Sequence, residues 1–195
     1  MLVAALFVMP DSVYKTMPGV DCWDEERDAR NWPGGCTVVA HPPCRTWGVL
    51  KAFATAAPPH EHAMGIWAIN QVRRWGGVLE HPLGSTLFRE TGCGKPWGLP
   101  DEHGGQLIQV DQFHWGHRAR KRTLLYIVGA QSLPPIPFRQ GEPEAVLDRP
   151  GSARKKDRPN TAGRKPWVTH RERSATPPAL AEWLVSLARS CKVTP

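Results

Sequence analysis

The chain has 195 residues, a net charge of +7 and 41% hydrophobic residues, which suits one packed domain with a short appendage and excludes a disordered chain. Five cysteines, an odd number without a C-x-x-C pair, argue against a disulfide scaffold and fit a reducing, cytoplasmic setting. The excess of cations points to an acidic partner, nucleic acid ahead of an anionic membrane surface, although a merely basic protein carries the same charge.

The first nine residues are apolar, too few to span a bilayer and without the basic flank and cleavage site of a signal peptide. Residues 2–8 read instead as a strand buried on both faces. A loop follows, with one helical turn over 13–16. Residues 19–24 form a second strand ending on Asp24, Glu25 and Glu26. An acid at the end of a second strand is where dinucleotide-type folds hold ribose hydroxyls; the same cluster also reads as solvated surface charge. After a turn at 31–35, Thr37, Val38, Val39 and Ala40 run into His41-Pro42-Pro43-Cys44. Two prolines fix φ and remove two donors, so strand and helix both stop there. Cys44 therefore sits on a pre-set corner at the carboxyl end of a strand.

Residues 47–53 allow a helical turn or two. The spacing predicts a helix over 61–74, with Met64, Trp67, Ala68, Gln71 and Val72 on one face and Gly76-Gly77 as its stop. Residues 78–80 are a short strand broken by His81-Pro82, and 86–88 begin a helix. Residues 91–105 are a Gly- and Pro-rich loop, 106–110 a strand, and 123–128 the strongest strand signal in the chain. Residues 133–137 are proline-rich and mark a boundary. Residues 149–173 are loop-like and strongly basic. Thr176 caps a final helix over 179–190, whose Leu180, Trp183, Leu184 and Leu187 share a face. The pattern predicts an α/β fold of Rossmann-like type, a mostly parallel sheet with helices on both faces and a basic, loop-rich insertion. Its expected divisions are 1–132 for the sheet domain, 133–175 for the insertion and 176–195 for a helix packing back.

Three features carry chemistry. Cys44 is a nucleophile if electropositive neighbours favour its thiolate, and otherwise a small buried hydrophobe. Glu80, on the neighbouring corner, can hold the polar edge of a pyrimidine whose C6 a cysteine attacks, or can be a capping or salt-bridge residue. In the run 117–122, Arg120 and Arg122 fall on one face of a strand start, where they clamp a phosphate or brace the corner, unless the run is a solvated loop. Zinc is disfavoured: Pro43-Cys44 precedes His60-Glu61-His62, and position 47 is Trp, not Cys.

The ordered set Pro42-Pro43-Cys44, Glu80-His81-Pro82, Arg120-Lys121-Arg122 before 123–129, and the helix after Thr176 resembles the DNA cytosine-5 methyltransferases. That family carries a Pro-Pro-Cys loop, a Glu-Asn-Val strand end, a Gln-x-Arg-x-Arg stretch and a returning C-terminal helix. The chain is also similar to small phage- and prophage-encoded proteins, which implies a bacterial host cytoplasm. The resemblance implies a SAM-methyltransferase-like fold, S-adenosylmethionine as cofactor near Phe7, Asp11, Asp24 and Pro42, and double-stranded DNA with a flipped target base as partner. It makes Cys44 the nucleophile, with Glu80, Arg120 and Arg122 as the other catalytic residues, and Arg45, Arg118, Arg154, Lys155, Lys156, Arg158, Arg164 and Lys165 as nucleic-acid contacts. The chain departs from the family in three places. Phe7-Val8-Met9-Pro10-Asp11-Ser12 has no glycine, twelve residues between Asp24 and Thr37 leave no room for the family's third strand, and His81 and Pro82 replace Asn and Val. A rival reading is a methyltransferase-like domain that binds nucleic acid and catalyses nothing.

Overall fold

The computed structural model describes residues 1–49, 51–54, 56–147 and 165–192. Six strands form one sheet: β1 (Val3–Leu6), β2 (Val20–Trp23), β3 (Thr37–Ala40), β4 (Gly77–Pro82), β5 (Gln106–Asp111) and β6 (Arg122–Val128). Their order across the sheet is β2-β1-β3-β4-β6-β5. The pairs β1–β2, β1–β3 and β3–β4 are parallel, whereas β6 runs antiparallel to both β4 and β5. The sheet is therefore mixed, which corrects the expectation of a mostly parallel one. Among the described residues no helix is long and apolar enough to cross a membrane.

The strands are apolar on both sides because both faces are covered. Ala4, Leu6, Val38, Ala40, Leu79, Tyr126 and Val128 share a core with Ala68, Ile69 and Val72 of α1 (Glu61–Trp75). The alternate residues Val3, Ala5, Val39, Val78, Leu125 and Ile127 share one with Leu180, Leu184 and Leu187 of α4 (Pro178–Ser190). This period-two division places one long helix on each face. The C-terminal helix does pack back on the sheet, against β1, β3 and β4.

Three local expectations change. β4 continues through His81 and Pro82, paired with Leu124 and Thr123 of β6. β3 ends at Ala40, opposite Leu79, so the end of β4 has a strand on one side only, and proline is tolerated there. The basic stretch before α4 contains a five-residue helix, α3 (His170–Ser174), because Thr169 and Glu172 form a reciprocal capping box. α4 starts at Pro178 with Pro177 as its N-cap and no side-chain capping bond, so Thr176 is not the cap. A short α2 (Leu87–Glu90) completes the set.

From β1 the chain goes to β2 on one side and then crosses to β3 on the other. The loops after β1 and β3 thus leave in opposite directions. In open α/β sheets such a reversal opens a crevice at the carboxyl ends, where ligands bind.

Candidate active site

A cavity of about 1290 Å³ lies at that reversal. Its walls come from the loop after β1, the corner after β3, the end of β4, the start of β6 and α3. Phe7 leaves β1 with φ 60, a left-handed conformation that costs a non-glycine residue about 1 kcal/mol or more and tends to persist at functional sites. Its ring is held edge-on against Trp67, 5.8 Å between centroids.

The corner is fixed from below. Trp47, 1% exposed, lies under it and donates its backbone N–H to the Cys44 carbonyl at 3.1 Å. The ring fits because residue 65 is glycine; a Cβ there would stand 2.6 Å from Trp47 Nε1. His62 stacks on the other face of the indole at 3.7 Å. Arg45 forks onto the buried Glu61 carboxylate and ties the corner to the first turn of α1. His81, 1% exposed, faces the carbonyls of Pro42 and Pro43 and accepts or donates at Nδ1 with Ser85 Oγ, 2.6 Å away. Burial pushes its pKa down to about 4.

Glu80 is the polar centre. Burial raises its pKa, but the hydrogen bond from His41 and the nearby charges of Lys121, His41 and His81 outweigh that and hold it at about 2. It is therefore a carboxylate at neutral pH. Oε2 is 3.2 Å from His41 Nδ1, and Oε1 accepts from Gln112 Nε2 at 3.1 Å. Gln112 is anchored in turn on Thr123 Oγ1 at 2.9 Å. A carboxylate offers about four acceptor positions, so two protein donors leave Glu80 free to receive a ligand's N–H groups. His41 Nε2 lies 2.9 Å from the hydroxyl of Tyr14, which is itself on the cavity wall.

Cys44 is exposed as a residue and lines the cavity. Burial of the sulfur against the walls raises the thiol pKa, and Glu80 adds to this; Lys121 and Arg173 pull the other way. The thiolate at this corner thus depends on those two cations.

Of the residues expected from sequence, Cys44, Glu80, Arg122, Phe7, Asp11, Pro42 and Arg45 line one cavity. Others lie elsewhere. Arg120 reaches Asp111 at 3.5 Å and covers the Phe113 ring. Arg118 pairs with Glu172 and Glu144. Lys165 pairs with Glu142. Asp24 is off the cavity, its carboxylate taken by Lys15 Nζ at 2.6 Å and the Arg27 N–H at 3.1 Å. Arg154, Lys155, Lys156, Arg158 and Arg164 fall outside the described residues. Sequence reasoning missed Tyr14, His41, Gln112, Lys121 and Arg173. His41 had a signal, its place in the Pro-Pro corner; the others acquire meaning only from contacts across the chain.

S-adenosylmethionine fits this site incompletely. Phe7, Asp11 and Pro42 are on the wall, but the turn after β1 is made at Phe7 instead of a glycine. The acid expected at the ribose is already neutralised by Lys15. The residues do not build the expected cofactor cradle. No protein-family model matches the chain, and no curated protein is significantly similar to it.

Proposed function

We propose that the cavity is the active site of a DNA-modifying enzyme of the cytosine-5 methyltransferase type, acting on a flipped pyrimidine. Cys44 sulfur, once deprotonated, bonds to C6 of the base, and the electrons of the C5–C6 double bond move toward C5. Glu80 accepts from the polar N–H edge of the ring and orients it. C5 then bonds to an electrophilic carbon as that carbon's leaving group departs with its bonding pair; water takes the C5 proton, and departure of the sulfur as thiolate restores the double bond. S-adenosylmethionine is the methyl donor that the resemblance implies.

The observation that carries this reading is that Cys44 and Glu80, from two different strand ends, line the same cavity at the sheet's reversal point. The one-strand reversal within an otherwise parallel α/β sheet with helices on both faces is compatible with a Rossmann-like methyltransferase fold. A second reading, a nucleic-acid-binding domain without catalysis, is favoured by the raised thiol pKa and by the incomplete cofactor cradle. One experiment separates them. The protein is incubated with S-adenosylmethionine and DNA containing 5-fluorocytosine, then run on a denaturing gel. A covalent complex that disappears in Cys44→Ser is the expected result. No complex, together with intact salt-sensitive DNA binding, replaces the enzyme with the binding domain.

A further inference from the structure

The cavity that Glu80 lines is otherwise largely cationic. Arg45, Lys121, Arg122, Arg171 and Arg173 line the cavity against two carboxylates, Asp11 and Glu80. Two of these cations are committed, Arg45 to Glu61 and Arg171 to Asp11. Among the described residues Glu80 is hydrogen-bonded to His41 and Gln112. The remaining three cations have no ion-pair partner among the described residues. Among the described residues Lys121 Nζ donates to the Ala175 carbonyl, at 3.2 Å; burial lowers its pKa, Glu80 and Cys44 oppose that, and Arg173 adds to it.

Lys121 and Arg122 open β6, whereas Arg173 belongs to α3, which is fastened across the cavity by the ion pairs Arg118–Glu172 and Arg171–Asp11. Two segments about fifty residues apart thus bring like charges together on one wall. Such a gathering costs free energy unless an anion is bound between them. Guanidinium and ammonium donors converging from several directions suit phosphate oxygens. The base-holding groups Glu80 and Cys44 line the same cavity.

We propose that Lys121, Arg122 and Arg173 form a phosphate subsite that holds the phosphate of the pyrimidine nucleotide whose base lies against Cys44 and Glu80. The identity of the base rests on the function proposed above; the phosphate site rests on the unpaired cations. The same phosphate chemistry comes from a free nucleotide or from one nucleotide flipped out of a strand.

The test is equilibrium binding to the full chain carrying Cys44→Ser, so that no covalent chemistry intervenes. The probes are deoxycytidine, deoxycytidine monophosphate and a short single-stranded oligonucleotide with one cytosine. The monophosphate is expected to bind about tenfold or more tightly than the nucleoside. Arg122→Ala with Arg173→Ala should abolish that advantage, and Arg173→Lys should restore part of it. Arg89→Ala removes one charge from α2, outside the cavity, and should change nothing. If only the oligonucleotide binds and the double variant weakens it by a similar factor, the phosphate is that of a strand. Equal affinity for nucleoside and nucleotide, an unaffected double variant, an equal loss in Arg89→Ala, or no binding of any probe overturns the subsite. Failure of the 5-fluorocytosine adduct with phosphate-dependent binding intact would remove the chemistry and leave the subsite standing.

Discussion

Glu80 and Asp101 are both half-buried carboxylates with depressed pKa values, and both touch a network that includes a tyrosine. Asp101 lies under α1. Burial pushes its pKa up, but the Tyr126 hydroxyl, the Gly105 and His103 N–H groups and Arg73 more than offset this. Its acceptor positions are filled: Oδ2 receives Tyr126 at 2.7 Å and Arg73 at 3.5 Å, and Oδ1 receives Gly105 N at 2.8 Å and His103 N at 2.9 Å. Arg73 also donates to the Thr91 carbonyl, so the knot pins the 91–105 loop to α1 and β6. No Cβ fits at Gly105 because the Tyr126 ring occupies its place. Among the described residues Glu80 has two protein donors, and it lines a cavity that Cys44 lines too. Burial and pKa do not tell these acids apart. Saturation does: a carboxylate with every position filled holds a fold together, and one left half-filled beside a void can hold a ligand.

The sharpest way to break this contrast is to neutralise each acid in place. Glu80→Gln should slow formation of the 5-fluorocytosine adduct by about a hundredfold or more and also lower the urea midpoint, because the fold favours this carboxylate over its neutral form. Asp101→Asn should leave the adduct rate within about threefold and lower stability by roughly 1–3 kcal/mol, because half-buried Arg73 loses its counter-charge and the hydrogen bonds to the carboxylate weaken. Adduct rates on a gel and urea titrations of both variants decide the matter. The reverse pattern would make Asp101 the functional acid and Glu80 a structural one.

Acid sensitivity separates the two regions next. The folded pKa of His81 is about 4, against an ordinary 6.5. Below the ordinary value the unfolded chain binds a proton that the folded chain refuses, so stability falls as pH drops from about 6.5 to 4. The ceiling for this one residue is about 3 kcal/mol. His117, also pushed down by burial, adds to the same window. Asp101, a carboxylate with a lowered pKa, loses its contribution only as pH falls below the usual carboxylate range. Urea midpoints at pH 7, 5.5 and 4.5 should therefore fall steadily, and His81→Gln should flatten the slope. A slope unchanged in that variant would show that the corner does not bury a neutral imidazole.

The strands of the sheet were legible because covered strands are continuous apolar runs, and α1 because its apolar residues recur at helical spacing. The corner and Glu80 were legible because proline marks strand ends. Strand direction was not, since the run at 122–128 reads the same either way; β6 is reversed by its pairing with β4. The short α3 hid in a basic stretch because its cause is a two-residue capping box. Arg120 and Arg122 alternate onto one strand face in the sequence, yet Lys121 between them is the one whose charge acts on Glu80 and Cys44. The register of β5 against β6 decides this, since it sets Asp111 opposite Arg122 and within reach of Arg120. Asp24 looked available until Lys15, nine residues earlier, was brought onto it.

The smallest effects belong to the two tyrosines. Glu80 is ionised and can only accept, so His41 Nδ1 is the donor in their bond. In the neutral ring Nε2 then accepts, and the Tyr14 hydroxyl donates to it over 2.9 Å. Burial, with Glu80 adding, keeps that hydroxyl protonated by raising its pKa well above the usual value. Tyr14→Phe removes the donor and leaves His41 Nε2 with no protein partner among the described residues, at a cost of about 1 kcal/mol. His41 is then less firmly aligned on Glu80, so the adduct rate should fall about fivefold and its pH profile should move. Tyr126→Phe removes a hydroxyl of the same kind from the Asp101 knot. It should lower the urea midpoint by a similar free energy and leave adduct rate and pH profile where they were. Equal effects of the two substitutions on the pH profile would mean that the Tyr14–His41–Glu80 chain orients nothing in the cavity and is a second structural knot.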